Sequence, residues 1–215
     1  MLDQTYLPAS NGSRFERLFA ADQSKQPIWN TILAATPDYV VVPTLGSIVP
    51  FWHLVIPRVP SININEHLAA RGSGDIHLLL EPIVTKHRAA QVLWFEHGPN
   101  RVGSLIGCGA DYAHLHVVLD APFSFGDFQL AAREDLSLWK ERETGDAYRG
   151  IRSDAEYYAF GNLQTAYISE ASGQPKSQLF RKIIARLTKN DTQWNYREHA
   201  HENFVRRTVN LWGSR

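Results

Sequence analysis

The chain has 215 residues, 44% of them hydrophobic, and its 22 Lys and Arg residues equal its 22 Asp and Glu residues in number. This length is sufficient for one domain with an extension, and for a core that needs no disulfide or metal support. Because positive and negative charges balance, no global positive field exists to attract nucleic acid or an anionic membrane, and neither is expected as a partner.

The cysteine count and the N-terminal residues indicate a cytoplasmic location. Cys108 is the single cysteine, so the chain cannot form an intramolecular disulfide. The N-terminal sequence MLDQTYLPASNGSRF lacks the basic and apolar regions of a signal peptide. No apolar run approaches the roughly 18 residues of a membrane span. We therefore expect a cytoplasmic protein without membrane segments.

The first predicted elements are two strands, at residues 39–42 and 52–56. The segment DYVVVPTLGSIVPFWHLVIPRV is rich in β-branched residues there, and a connection containing Pro and Gly separates the two runs. Next, Asp75 is placed to cap a helix. The apolar face of this helix is formed by Leu78, Leu79 and Ile83. The run QVLWFEHG then has the composition of a strand.

A glycine-containing loop, PNRVGSLIGCGA, leads into a strand with two different faces. One face is apolar and consists of Ala113, Leu115, Val117 and Leu119. The other face carries Tyr112, His114, His116 and Val118. Residues two apart on a strand project to the same side about 7 Å apart, so the two histidines face one region together.

Beyond Pro122 the sequence is more charged and predicts helices. DFQLAAREDLSLWKERETG predicts a helix that ends at Gly145, and SQLFRKIIARL predicts an amphipathic helix. No internal repeat or low-complexity linker separates them from the rest. We expect a domain at residues 1–125 and an extension at residues 126–215 that packs on it.

Two imidazoles on one face of a strand suit three kinds of chemistry. They can bind a metal, attack as nucleophiles, or bind an anion when protonated. The histidines of an arbitrary H-x-H pair are as often merely polar surface. The preceding glycine-rich GSLIGCGAD favours a functional site, because such loops bring backbone N–H groups close to a ligand, most often phosphate.

Three segments resemble the histidine triad superfamily. DYAHLHVVL resembles its signature, in which three histidines alternate with apolar residues, and VVVPTLGSIVPFWHLVIPR resembles its two N-terminal strands. FEHG followed by GCGAD resembles a bacterial branch of the family. The resemblance covers roughly residues 35–122, and the segments occur in the family's order.

This resemblance implies an α+β fold: a histidine-triad-like antiparallel sheet with flanking helices, here with a mainly helical C-terminal extension. It also implies a homodimer that acts on small nucleotide substrates as a nucleotidyl hydrolase or transferase. The substrate would be a nucleoside phosphate ester, anhydride or phosphoramidate, and the reaction would pass through a nucleotidyl-histidine intermediate. No cofactor or metal site is expected, although Mg²⁺ could accompany a polyphosphate substrate.

The family pattern assigns a role to each matching position. His114 is the expected nucleophile, with His116 and Tyr112 as supporting catalytic groups. The residues expected to bind phosphate or nucleotide are Gly107, Cys108, Gly109, Glu96, His97, Trp52, Gln178 and Arg181. For Trp52, ordinary core packing is the favoured alternative to base stacking, since aromatic residues commonly form cores.

Several positions depart from the family pattern. Trp52 stands where the family's first-strand histidine falls, while the neighbouring His53 is one residue out and should face the other side of the sheet. Pro60 and Tyr112 also replace family histidines. These departures leave open a nucleotide-binding protein that has lost catalysis. A metal-dependent hydrolase is a further alternative, for which the local motif supplies only two ligands.

Overall fold

The computed structural model of the protein describes residues 15, 18–19, 26–171 and 174–213. The strands are β1 (Ala34–Ala35), β2 (Tyr39–Pro43), β3 (Trp52–Pro57), β4 (Val92–Gly98), β5 (Leu115–Leu119), β6 (Lys140–Glu143), β7 (Tyr157–Gly161) and β8 (Thr165–Glu170). The helices are α1 (Ile64–Ala70), α2 (His77–Lys86), α3 (Phe125–Asp135), α4 (Leu179–Leu187) and α5 (Glu202–Gly213). The signal-peptide expectation concerns residues 1–15, of which all but Phe15 lie outside the described part.

The eight described strands form one sheet in the order β1-β2-β3-β5-β4-β7-β8-β6. Every neighbouring pair is antiparallel. The fold is therefore α+β with an antiparallel sheet and helices on both faces. The order places β5, which carries His116, between β3 and β4 at the centre of the sheet.

Side chains point alternately to the two faces of the sheet along each strand, and both faces are buried. On one face, residues such as Val55, Val117 and Trp94 pack with α1 and α2. On the other face, Trp52 and Phe95 pack with apolar residues of α3 and α4. His116 lies on this second face, because its register partners are Leu54 and Phe95.

Helix α3 shows how the sequence sets a helix start and why the predicted end was wrong. The Ser124 hydroxyl accepts from the N–H of Asp127, whose carboxylate accepts from the N–H of Ser124, so the two form a capping box. The helix ends at Asp135 and not at Gly145, because the charged run KERE pairs with β8 as edge strand β6. In α2, Asp75 accepts from the first N–H as expected. Its buried face contains Leu80 in place of the exposed Leu78.

The segment after residue 125 contributes strands as well as helices. Strand β7 pairs with β4, and β8 and β6 continue the sheet. The expectation of a mainly helical extension is not confirmed, and the division at residue 125 stays a prediction. The homodimer and the cytoplasmic location also stay predictions. Among the described helices, none is long and apolar enough to cross a membrane.

Candidate active site

The predicted nucleophile, His114, lies just before β5 and is fixed by its own chain. Its Nδ1 lies 2.8 Å from the carbonyl oxygen of Tyr112. A carbonyl can only accept, so Nδ1 carries a proton, and in the neutral ring Nε2 carries the lone pair. The Phe15 ring packs against the imidazole, with 5.2 Å between ring centroids. The backbone therefore holds His114 in the tautomer that a nucleophile at Nε2 needs.

Tyr112 supports His114 through its backbone and not through its side chain. It precedes β5, and its hydroxyl donates to the carbonyl oxygen of Pro57 at 3.0 Å. The side chain is buried against Phe15 and residues of β2 and β3. The expectation that the phenol supports His114 is therefore corrected: the supporting atom is the backbone carbonyl oxygen. Any residue at this position would offer the same carbonyl.

His116 lies beside His114 on β5 and is held by aromatic neighbours. The ring centroids of the two histidines are 5.0 Å apart. The Phe95 ring stacks on His116 at 4.6 Å with an interplanar angle of 14°. The indole Nε1 of Trp52 lies 3.0 Å from Nδ1 of His116. Trp52 has an exposed fraction of 0%. This burial favours core packing over base stacking for Trp52, since its ring is not exposed to a base.

A third imidazole reaches the site from strand β4. His97 lies two residues beyond Phe95, on the same face of the sheet, and lines a cavity together with His114 and His116. The backbone N–H of Phe180 donates to its Nε2 at 3.4 Å. Burial lowers the pKa of His97 to about 3, so this ring is neutral near pH 7.

Glu96 does not belong to the site. It points to the opposite face of the sheet, where its carboxylate accepts from the N–H of Ile64 at 2.6 Å and the hydroxyl of Tyr157 at 2.8 Å. Burial raises the pKa of Glu96 to about 7. The expectation that Glu96 contacts nucleotide is wrong because β4 alternates, and His97 occupies the face that carries His116. His53 likewise faces away from His116, as predicted, and accepts from the indole N–H of Trp212 at 3.0 Å.

The cavity is small, and its largely apolar wall contains a few polar side chains and one cation. Its volume is about 50 Å³, which is room for a few water-sized groups. The lining residues are Phe15, Thr44, Leu45, Leu54, His97, Gly107, Cys108, Ala110, His114, His116, Gln178, Arg181 and Tyr196. Among these described residues Arg181 is cationic and none carries a carboxylate. This cation gives the lining the sign of charge that attracts an anion.

Arg181 is rigidly placed in this wall. The side chain is 5% exposed, and its guanidinium donates to the carbonyl oxygens of Gly46 and Leu45, each at 2.7 Å. The same group lies 4.7 Å from the ring centroid of Trp52 and 5.3 Å from that of Tyr196. Helix α4 thus folds back over the histidines, and the structure brings Arg181 to the site as the sequence suggested.

Gln178 is the second residue that α4 brings to the cavity. It precedes the helix in a left-handed conformation with φ 54°, which is unusual for a residue other than Gly, Asn or Asp. Its side-chain oxygen is buried and has no hydrogen-bond partner among the described residues, although the residue lines the cavity. The hydroxyl of Thr44, directly after β2, is in the same situation. Buried polar groups without partners are rare, and here both point to a polar ligand.

The loop before His114 contributes part of the cavity lining. Gly107 and Cys108 line it, whereas Gly109 does not. The Cys108 sulfur accepts from the N–H of Gln178 at 3.1 Å, and burial raises the pKa of this thiol, so it is not poised as a nucleophile. Gly109 instead lies against Arg197, whose Nη2 is 2.7 Å from the position of a Cβ added there.

Sequence reasoning missed Thr44, Tyr196 and Phe15. None carries a local signal, because each reaches the cavity through a distant segment of the chain.

A larger, open cleft of about 890 Å³ includes Tyr112 in its lining but neither His114 nor His116. Among the described residues, no group of three or more His, Cys, Asp or Glu side chains is arranged to hold a metal ion.

Comparisons with known proteins add a distant likeness to a solved structure. No protein family profile and no curated protein matches the chain. Among solved structures, the chain is similar to a yeast Ap4A phosphorylase in complex with Ap4A. The identity is 11% and the TM-score is 0.39, over 82% of this chain and 74% of that one. We therefore base the function on the geometry of the site.

Proposed function

We infer that this chain is a nucleotidyl hydrolase or transferase of the histidine triad type, with His114 as its nucleophile. The observation that carries this function is the 2.8 Å contact from Nδ1 of His114 to the Tyr112 carbonyl, which leaves the lone pair on Nε2. The neighbouring His116 and the cationic Arg181 supply donors that suit phosphate oxygens, whereas the unpartnered Gln178 oxygen can accept only from a hydroxyl or N–H group of a substrate.

The proposed reaction has two displacement steps. In the first, the Nε2 lone pair of His114 forms a bond to the α-phosphorus, and the bond to the leaving oxygen breaks with its electron pair on that oxygen. The ring then carries positive charge, which the Tyr112 carbonyl stabilises through the Nδ1 proton. In the second step, an oxygen of water or another acceptor attacks phosphorus and its proton, where it carries one, passes to solvent. The P–N bond breaks, and the lone pair returns to Nε2.

Side chains of the wall would bind the phosphoryl oxygens. Arg181 and the N-terminal end of α4 supply positive potential. His116 supplies a hydrogen bond, and the 103–109 loop stays a predicted phosphate cradle. The scheme needs no metal, and Mg²⁺ would enter only with a polyphosphate substrate. Because the cavity is far below the roughly 300 Å³ of a typical ligand pocket, the nucleoside would lie outside it or displace Phe15 or Tyr196.

A substrate panel tests this function. Purified protein is assayed with dinucleoside polyphosphates, nucleotide sugars and nucleoside phosphoramidates, and compared with His114→Ala. His77→Ala is the matched control, because His77 bonds to Asp75 and to the Leu163 carbonyl and does not line the cavity. We expect turnover that His114→Ala abolishes and the control keeps. Equal turnover by wild type and His114→Ala would refute the function, and nucleotide binding without turnover would favour the noncatalytic alternative.

A further inference from the structure

The contact between Trp52 and His116 determines more than packing. Trp52 lies on β3 and His116 on β5, and both side chains are buried. The indole Nε1 lies 3.0 Å from Nδ1 of the imidazole, with the rings at 63°. An indole nitrogen always carries hydrogen and can only donate. The Nδ1 atom of His116 must therefore accept, and the ring proton must lie on Nε2.

His116 and His114 are thus opposite tautomers. In His114 the Nδ1 proton is donated to a backbone carbonyl and Nε2 has the lone pair. In His116 the Nδ1 lone pair accepts from Trp52 and Nε2 has the proton. Two adjacent imidazoles of one cavity therefore offer one acceptor nitrogen and one donor nitrogen.

Surrounding contacts hold Trp52 where it donates. The Arg181 guanidinium lies over its ring and is itself bound to two backbone carbonyls. Phe95 contacts it edge to face, with 5.6 Å between centroids. At the preceding residue, Phe51, the backbone N–H donates to the Thr208 hydroxyl of α5 at 3.0 Å. The indole is consequently a fixed donor and not an adaptable partner.

A fixed donor at Nδ1 limits what His116 can do. If neutral His116 gave away its Nε2 proton, it would become an anion unless Nδ1 gained a proton. Nδ1 cannot gain one while it accepts from the indole, and the indole has no basic nitrogen to pass a proton on. His116 can therefore stabilise charge by a hydrogen bond, but it cannot act as a proton donor to a leaving group.

We propose that Trp52 is a positioning residue that fixes His116 as the Nε2–H tautomer and so restricts the site to leaving groups that depart as stable anions. This inference rests on the proposed function. It selects phosphoanhydrides, such as dinucleoside polyphosphates and nucleotide sugars, whose leaving phosphate needs no proton. It disfavours phosphoramidates, because their leaving amine must be protonated before the P–N bond of the substrate breaks.

The tautomer can be measured without any substrate. Long-range ¹H–¹⁵N correlation spectra distinguish protonated from unprotonated ring nitrogens. In the wild type we expect His116 with Nε2 protonated and His114 with Nδ1 protonated. A His116 spectrum with Nδ1 protonated near pH 7 would overturn the proposal, whatever the protein's activity.

Two tryptophan variants separate the donor from the ring. Trp52→Phe removes the N–H and keeps an aromatic side chain. Trp94→Phe is the control, because Trp94 has the same burial and donates to the Asn162 carbonyl at 2.8 Å on the other face of the sheet. We expect the His116 spectrum to change in Trp52→Phe and not in Trp94→Phe. Should Trp52→Phe fail to fold, benzothienylalanine at position 52 replaces only the N–H with sulfur.

The leaving-group consequence is read as a ratio of turnovers. Wild type should cleave a dinucleoside polyphosphate at least about a hundredfold faster than a phosphoramidate of the same nucleoside, a factor within the range of general acid catalysis. Trp52→Phe should reduce this preference about tenfold or more, because Nδ1 can then be protonated. The proposal would be overturned if Trp52→Phe left the ratio of the two turnovers unchanged, or if the wild type preferred the phosphoramidate. The predicted tautomers with no turnover of any substrate would refute the proposed function and its leaving-group consequence together.

Discussion

The buried carboxyl of Glu96 makes folding stability depend on pH in a direction that can be calculated. Its pKa is raised from 4.5 to about 7, and the largest cause is burial. A carboxyl with a raised pKa binds its proton more tightly in the folded protein than in the unfolded chain. The free energy of unfolding therefore falls as the pH rises from the pKa of the unfolded state through that of the folded state. At 1.36 kcal/mol per pKa unit, this loss is about 3 kcal/mol above pH 7.

Replacement of Glu96 by Gln should remove that dependence. The glutamine oxygen can still accept from the Ile64 N–H, and the Tyr157 hydroxyl can rotate to accept from the amide. Urea unfolding of both proteins at pH 5 and pH 8 gives the difference in free energy of unfolding. We expect Glu96→Gln to gain about 2 to 3 kcal/mol relative to wild type between these pH values. A difference that stays constant would contradict the buried-carboxyl assignment.

Three further predictions concern stability and anion binding. Burial lowers the pKa values of His53 and His97 from 6.5 to about 3. As the pH falls, these histidines therefore become protonated in the unfolded chain before they do in the folded protein. In the Glu96→Gln background, the free energy of unfolding should consequently fall as the pH drops below 6.5. A melting temperature constant from pH 7 to pH 4 would contradict this. A Cβ at Gly98 would lie 2.2 Å from the Tyr157 ring, so Gly98→Ala should cost about 2 kcal/mol or more in denaturant unfolding, whereas Gly74→Ala, with nothing within 4 Å, should cost under about 1 kcal/mol. Arg181→Lys should weaken pyrophosphate binding about tenfold by calorimetry, since lysine cannot keep both carbonyl bonds, and unchanged affinity would remove Arg181 from the anion site.

Part of the fold could be predicted because half of the sheet has clear strand composition. Strands β2 and β3 follow β-branched runs with a Pro- and Gly-containing connection, and their positions are confirmed to within a residue. Strands β7 and β8 were missed because YYAFG and AYIS are buried on both faces and show no alternation of polar and apolar residues. Strand β6 was missed because KERE is an exposed edge strand without an apolar face.

The site was predictable only where one segment contains it. The pairing of His114 with His116 follows from spacing along a single run. The contribution of His97, and the exclusion of Glu96, depend on the register of β4 against β5, which no local pattern reveals. The role of Trp52 depends on a contact across strands, where one hydrogen-bond donor decides the state of a histidine 64 residues away.

The most direct test of the account is the covalent intermediate at His114. The protein is mixed with an excess of a dinucleoside polyphosphate and quenched in alkali, because phosphorus–imidazole bonds are labile in acid. It is then digested and analysed by mass spectrometry. We predict a mononucleotidyl group on the peptide that contains His114, absent from His114→Ala. Turnover without any adduct in the wild type, or with the nucleotidyl group on Cys108 or His97, would contradict the account.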